Sequence, residues 1–466
     1  MAEVKSLQKE NKLGSMPMFR LMMSVSIPMV ISMIVQALYN VVDTLFVAQL
    51  SVEQYELTAI SLAFAAQNFM IAVATGTGVG INALLSKSLG EKNYDRVQKV
   101  AHNGLFLALC SYILFLILGL TLSGPYMHIM TDDPTVLKLG KEYISICFIF
   151  SFGIFGEITT ERLMISTGKT HLAMCTQGIG AILNIILDPI FIFGLLGAPA
   201  MGIRGAAVAT VLGQIIAFAV ALLLNAKFNK DIRLSLKNFK PDGKIIGRIY
   251  VIGVPSIIMA SIGSVMNMML NSILNSFVGI GRYAQNAFGA YFKLQSFVFM
   301  PVFGLNNGIV PIVAYNYGAR KKKRMLSAAF IGMALATGYM LSCLVIFEFA
   351  PHLLLAPFVT EAQTMRIALV AMRVLALSFI FAGSAIVMGS VFQALGKSVY
   401  SMLVSISRQL VVLIPLAYIF SLSGNIDLVW WSFPLAEASS FLLSVAFFAV
   451  TYKKIISRID EPGTAL

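Results

Sequence analysis

Residues 26–50 read SIPMVISMIVQALYNVVDTLFVAQL, an apolar run with a single formal charge, Asp43. A bilayer core of ~30 Å is crossed by about 20 apolar residues in helical form, so this stretch is long enough to span. At 100° per residue Gln36, Tyr39, Asn40 and Asp43 fall on one face. The run is therefore an apolar helix with one polar stripe. Such a stripe is costly in lipid and belongs inside a helix bundle.

Outward from this segment the whole chain reads alike. Of 466 residues 58% are hydrophobic and 12% charged, against roughly a quarter charged in a soluble domain. The mean hydropathy is +0.84. Composition excludes a soluble enzyme, a disordered chain and a nucleic-acid binder. The expected fold is an all-α integral membrane protein with twelve transmembrane helices. Spans are expected near 21–47, 58–85, 101–122, 143–166, 171–194, 203–226, 246–278, 284–313, 326–348, 366–392, 399–422 and 429–451. Long apolar runs favour helices over the short alternating strands of a membrane barrel. Pro28, Pro189, Pro255, Pro301 and Pro415 are expected to kink their helices. Cys110, Cys147, Cys175 and Cys343 lie in apolar runs without ligand spacing and read as packing residues.

The loops alternate in charge. The N-tail, 86–100, 167–170, 227–248, 318–325, 393–398 and the C-tail hold 25 of the 34 Lys and Arg; Arg320 to Arg324 form one unbroken run. The intervening loops hold Lys138, Lys141, Arg204, Arg282 and Arg366. This bias puts both termini in the cytoplasm of a multi-pass protein of the cell membrane. The basic runs read as solvated loops facing lipid head groups. The expected organisation is a cytoplasmic N-tail over 1–20, an N-lobe of six spans over 21–226 and a cytoplasmic linker over 227–245. A C-lobe of six spans follows over 246–451, then a cytoplasmic C-tail over 452–466.

A shift of 228 residues superimposes the halves. Gln67 falls on Gln295, Phe69 on Phe297, Gly76 on Gly304, Gly80 on Gly308, Gly90 on Gly318, Arg96 on Arg324 and Gly168-Lys169 on Gly396-Lys397. An even number of spans per half makes the repeats parallel, related by a pseudo-two-fold axis along the membrane normal. Two lobes rocking about a central cavity follow as the default mechanism.

The halves differ in their polar residues. The fifth span carries Gln177, Asn184 and Asp188-Pro189, with Gln177, Asn184 and Asp188 within one narrow stripe. Asp43 and Asp188 are expected at similar depth, sharing one pocket. The shift maps them to Asn271 and Leu416, so the second half lacks both acids. It offers Asn267, Asn271 and Asn275 at i, i+4 and i+8, a neutral stripe expected to line a cavity with Gln295 and Lys293. A buried, unpaired carboxylate must find a cation. The coupling ion, a proton or sodium, is therefore assigned to the first half, with Asp43, Asn184 and Asp188 as possible sodium ligands. No structural metal or cofactor is expected. Glu161 and Arg162 are read as marking the inner end of span 4. Glu437 in span 12 could pair with Lys293 or Arg408.

In this context the first span, the Gly76-Thr-Gly78-Val-Gly80 close of span 2, "GEKNYDRVQKV", "LNIILDPIFIFGLLG" and "MGIRGAAVATVLGQ" together resemble the multidrug and toxin extrusion (MATE) family over essentially the whole chain. The resemblance implies a two-lobed exporter driven by a proton or sodium gradient. It implies an N-lobe pocket of Asp43, Gln36, Asn184 and Asp188, with Tyr143 and Thr210. Spans 7 and 10 contain no acid, which favours the DinF-like bacterial branch.

The resulting expectation is a secondary multidrug antiporter, not an enzyme. Its partners would be small amphipathic, often cationic substrates and membrane lipids, with no nucleic acid; a monomer is expected. A flippase for lipid-linked saccharides of the same superfamily is the alternative, disfavoured by the few cationic cavity residues. An integral-membrane prenyl transferase would need Asp-rich metal motifs on cytoplasmic loops, but the adjacent pair Asp132-Asp133 lies on an outer loop. No GxxxxGK[ST] motif supports an ATP-driven pump.

Overall fold

The computed structural model describes residues 11–50, 55–234 and 239–459, without the side chains of Asn40 and Ala48. The expected tails and linker thus fall partly outside the described residues, as does the Asn40 side chain. Twelve membrane-scale elements follow in order: α1 (Met18–Ala48), α2 (Tyr55–Gly90), α3 (Tyr94–Thr121), α4 (Pro134–Ile149 with Phe152–Ser166), α5 (Thr170–Phe193) and α6 (Ile203–Phe228). Then come α7 (Gly243–Asn275), α8 (Gly281–Gly318), α9 (Lys322–Phe349), α10 (Ala362–Ala376 with Phe379–Ala394), α11 (Ser398–Ser421) and α12 (Ser432–Lys454). Among the described residues there is no strand. Apolar side chains such as Ile113, Leu114, Ile117 and Leu120 of α3 point outward and stay exposed, as a lipid-facing surface requires. Cys110 and Cys175 share this exposure, so only Cys147 and Cys343 are packing residues.

The repeat is visible in the geometry. α4 bends by 47° and α10 by 50°. The breaks fall at Phe150-Ser151 and Leu377-Ser378, within one residue of the 228-residue repeat, and neither contains proline. The ladder tightens there to i→i−3 bonds: the Ser151 N–H donates to Phe148 O at 3.2 Å and the Ser378 N–H to Leu375 O at 3.1 Å. Pro28, Pro189, Pro255 and Pro301 lie inside continuous helices and interrupt none of them. Pro415 lies in the first turn of the helix that follows a π-helical turn at Ser407–Leu413. Short helices at Ser123–Met130 and Pro351–Leu355 occupy equivalent places after α3 and α9. Gly168 (φ 81°) and Gly396 (φ 74°) make equivalent turns, a conformation open to glycine.

The lobes meet through α1, α2, α7 and α8, with α2 against α7 and α8, and α1 against α8. The contact is made where a side chain would not fit. A Cβ on Gly76 would come 2.5 Å from Ile257 Cγ1 and 2.7 Å from Ile257 N; one on Gly304 would come 2.6 Å from Val30 Cα. On Gly80 it would strike the Ile249 carbonyl, on Gly90 the Tyr315 carbonyl and on Gly318 the Lys87 carbonyl; on Gly308 it would meet Ser26 Oγ at 2.5 Å. These six glycines are the pairs matched by the 228-residue shift. They seal the lobes at the end carrying Lys87, Lys92, Arg96 and Arg320 to Arg324, here called the basic end. Two or three turns toward the far end the same helix faces carry Val41 (43% exposed), Phe69 (50%), Met268 (67%) and Phe297 (40%). Faces that touch at the basic end thus separate at the far end, leaving a cleft.

A wedge completes the seal. Leu13 and Gly14 are buried. Asn11 Nδ2 donates to Thr167 O of the N-lobe at 3.2 Å. From the C-lobe, Asn316 Nδ2 donates to Leu13 O at 3.0 Å, Lys321 Nζ to Gly14 O at 2.9 Å and Arg324 Nη2 to Met16 O at 2.7 Å. Lys321 and Arg324, read from sequence as loop charges facing lipid, are instead hydrogen-bonded to the start of the chain. The segment before α1 lies between the α4–α5 turn at Thr167-Gly168 and the basic end of α8, which brings its carbonyls within reach of these cations.

Leu13→Asp should place a charge in this wedge and open the basic end. Electron–electron distances between spin labels at positions 92 and 323 of the purified, monodisperse variant should gain a longer population. A distribution identical to that of the labelled parent would refute the wedge's sealing role.

Candidate functional site

The N-lobe encloses a cavity of about 140 Å³ between α1, α2, α4, α5 and α6. α1 contributes Gln36 and Tyr39, α2 Gln67 and Thr75, α4 Glu157, Glu161 and Arg162, α5 Gln177 and Asn184, and α6 Thr210 and Gln214. This volume is well below the ~300–1,000 Å³ of drug-sized pockets. It suits an ion with a few waters.

Asp188 is fully buried on α5, one turn from Asn184. Asn184 ties it to α6. Oriented to satisfy both partners, its amide nitrogen donates to Asp188 Oδ2 at 3.1 Å. Its carbonyl oxygen accepts from the Thr210 hydroxyl at 3.2 Å and the Thr210 N–H at 3.3 Å. Asp43 Oδ1 is buried with no hydrogen-bond partner among the described residues. Asp43 and Asp188 lie within electrostatic reach of each other and of Tyr39. Tyr143 approaches Asp43 from α4, and its hydroxyl donates to Gln67 Oε1 at 3.4 Å. The structure therefore gathers Asp43, Asp188, Asn184, Thr210, Tyr39 and Tyr143 in one neighbourhood, with Gln36 on the wall of the adjoining cavity.

Two acids on α4 belong here as well. Glu161 is buried, accepting from Thr176 Oγ1 at 2.8 Å and Gln177 Nε2 at 2.9 Å. Glu157 lines the same cavity and lies within electrostatic reach of Glu161. Arg162, beside Glu161, crosses to the other lobe, where its Nη1 donates to Asn307 Oδ1 of α8 at 2.9 Å. Gly78 makes room for it, since a Cβ there would come 2.8 Å from Arg162 Cγ. Glu161 and Arg162 thus lie inside the molecule and do not mark a helix end. The i, i+4 spacing of Glu157 and Glu161, which puts both on one helix face, was the available sequence signal.

The C-lobe is organised differently. Asn271 Nδ2 donates to Asn267 O of its own helix at 2.9 Å, and Gln285 Nε2 donates to Asn271 O at 3.0 Å. Asn275 is exposed and Gln295 half-buried. Lys293 lines a separate cavity with Gln285 and Asn286. Gln285 thus links the asparagine stripe to the cavity that Lys293 lines, and Asn275 lies within about 20° of Met268 around the α7 axis, on the face bordering the cleft. Glu437 pairs with Arg408, Oε2 to Nη1 at 2.9 Å, and not with Lys293.

Fold and site together define a two-lobed, polytopic membrane protein with an acidic pocket inside one lobe. The MatE family model matches residues 28–190 and 255–419, and the chain belongs to that family. The two matches bracket the 228-residue repeat. Among similar proteins is the multidrug export protein MepA of Staphylococcus haemolyticus (strain JCSC1435), 25% identical over 419 residues and 90% of either chain. The MepA of Staphylococcus aureus (strain MRSA252) is 24% identical over 436 residues and 94% of either chain. A solved structure described as the outward-facing conformation of a multidrug resistance MATE family transporter of the MOP superfamily superposes with a TM-score of 0.89. It is 25% identical, with 97% of this chain and 98% of that chain covered.

Asn307→Ala should leave the buried Arg162 guanidinium without its cross-lobe acceptor, at a cost of about 1.5–3 kcal/mol. The thermal unfolding midpoint of detergent-purified protein should fall, and amide exchange in α8 near residue 307 should quicken. An unchanged midpoint with unchanged exchange would show that the bond contributes nothing across the lobes.

Proposed function

We propose that the chain is a secondary active exporter. It would exchange amphipathic, often cationic organic compounds for protons or sodium by alternating access of its two lobes. One observation carries this reading: acid is buried without matching base in one lobe only. Asp43, Asp188, Glu157 and Glu161 cluster in the N-lobe with Arg162 as the cation beside them, whereas Glu437 of the C-lobe already holds Arg408. The naming of the relatives as multidrug export proteins supports the substrate class.

Two carboxylates in one low-dielectric pocket do not both stay ionised without a cation. The neighbourhood offers oxygen ligands: the carboxylates of Asp43 and Asp188, the Asn184 carbonyl and the Thr210 hydroxyl. That set suits a proton or a hard cation. Coupling requires the ion to favour one arrangement of the lobes and the substrate another, because a ligand that binds both equally shifts nothing. Arg162 offers a route, since it stands beside the N-lobe acids and holds Asn307 of the other lobe. With the basic end in the cytoplasm of the cell membrane, both termini lie inside, and the cleft between the lobes opens outward.

Asp43→Asn and Asp188→Asn should each abolish gradient-driven dye efflux from proteoliposomes, under separately imposed proton and sodium gradients. Asn271→Ala, at the position matching Asp43, should retain coupling. Equal uncoupling by the Asn271 change would remove the ion site from the first lobe. A cysteine introduced between residues 239 and 244 should react with impermeant reagent only from the cytoplasmic side; labelling of intact cells from outside would invert the orientation.

A further inference from the structure

The C-lobe holds a second cavity, of about 320 Å³, that the exporter reading does not use. It lies between the far half of α8 and the start of α10. Its polar lining comes from Gln285, Asn286 and Lys293 on one side and from Thr360, Glu361 and Thr364 on the other. Lys293 is exposed and forms no ion pair among the described residues. An unpaired ammonium at this depth, about 18 Å of helix rise from the start of α8 at Gly281, is not a packing device.

Its direction follows from helix geometry. Lys293 precedes Gly304 by three turns and lies within about 20° of it around the α8 axis. Gly304 abuts Met29 and Val30 of α1. Lys293 therefore stands on the α8 face that meets the N-lobe at the basic end and borders the open cleft here. A simple cation entering the cleft would be repelled by it. Across the cavity, Glu361 accepts from Thr364 Oγ1 at 3.1 Å and keeps a second carboxylate oxygen. The cavity thus presents a positive and a negative group, each facing polar neighbours.

We propose that this cavity is a substrate subsite for a zwitterionic head group. Lys293 would hold the carboxylate or phosphate oxygen of the ligand, and Glu361 its ammonium. The proposal names a substrate class for the exporter proposed above and in that sense rests on that reading. Binding at equilibrium, however, needs no gradient, so the two can fail separately.

The test uses full-length protein in detergent and three probes with one fluorophore: Nε-dansyl-lysine, a zwitterion; its methyl ester, a cation; and its Nα-acetyl derivative, an anion. Fluorescence polarisation should show the zwitterion bound most tightly. Lys293→Ala should weaken the zwitterion by about tenfold and leave the ester unchanged or improved, while Lys293→Arg should restore binding. Glu361→Gln should bring the zwitterion to the affinity of the acetyl derivative. A parent protein that prefers the ester, or a Lys293→Ala variant that binds the zwitterion as the parent does, would overturn the subsite. Competition by lysophosphatidylethanolamine separates the two sources of such a group. Displacement of the zwitterion puts a lipid head group in the site, and its absence puts a soluble compound there; either supports the proposed chemistry. If these results hold but imposed gradients drive no efflux, the exporter reading fails and the binding site stands.

Discussion

Helix backbones approach one another across the lobe boundary more closely than any side chain would allow. Gly76, Gly80 and Gly90 of α2 and their counterparts Gly304, Gly308 and Gly318 of α8 create that approach. Small residues matter at such interfaces because lipid supplies no hydrophobic drive to join helices; contact must come from packing and hydrogen bonds. Packing of this kind is bistable: once a turn of glycine is lost from the interface, the neighbouring carbonyls no longer fit. The cleft at the far end is a consequence of this one close contact, and the wedge completes the seal at the basic end.

The second constraint is electrostatic. Duplication gave the lobes one backbone plan, down to matching breaks in α4 and α10, but their charge balance diverged. The C-lobe balances the charge of its buried Glu437 with Arg408, in the π-helical turn of α11, although Glu437 Oε1 has no hydrogen-bond partner among the described residues. The N-lobe leaves Asp43 Oδ1 without a partner and places Glu157 and Glu161 nearby. An ion pair balances its own charge, whereas an unpaired carboxylate must find its cation elsewhere. Arg162 takes no place in such a closed pair, since it reaches across the boundary to Asn307.

The fold was legible because lipid narrows the choices. Apolar run length gave twelve spans, and the glycine matches at a 228-residue shift gave two lobes before any contact was known. The pair Asp43 and Asp188 was legible for the same reason, as charges in apolar runs. Glu161 and Arg162 were misread because they sit near a helix end, and sequence does not show how far a helix end is buried by the opposite lobe. The Asn267, Asn271 and Asn275 stripe is legible as a pattern only. Periodicity puts three amides on one face, yet Asn271 bonds a carbonyl of its own helix, a local option open to asparagine anywhere. The helix breaks at Phe150-Ser151 and Leu377-Ser378 carry no proline and gave no sequence signal.

The wedge at the start of the chain has a consequence for biogenesis. Leu13 O accepts its hydrogen bond from Asn316, 303 residues later in the chain. Chains are made from the N-terminus at ~5–20 residues per second, so this acceptor waits for its donor while most of the protein is still being synthesised and inserted. The first lobe must therefore reside in the membrane for a time with its inner contact surface, including Gly76, Gly80 and Gly90, uncovered. Those same small residues would be a ready seat for an insertion factor or a misplaced helix until the second lobe arrives to displace it.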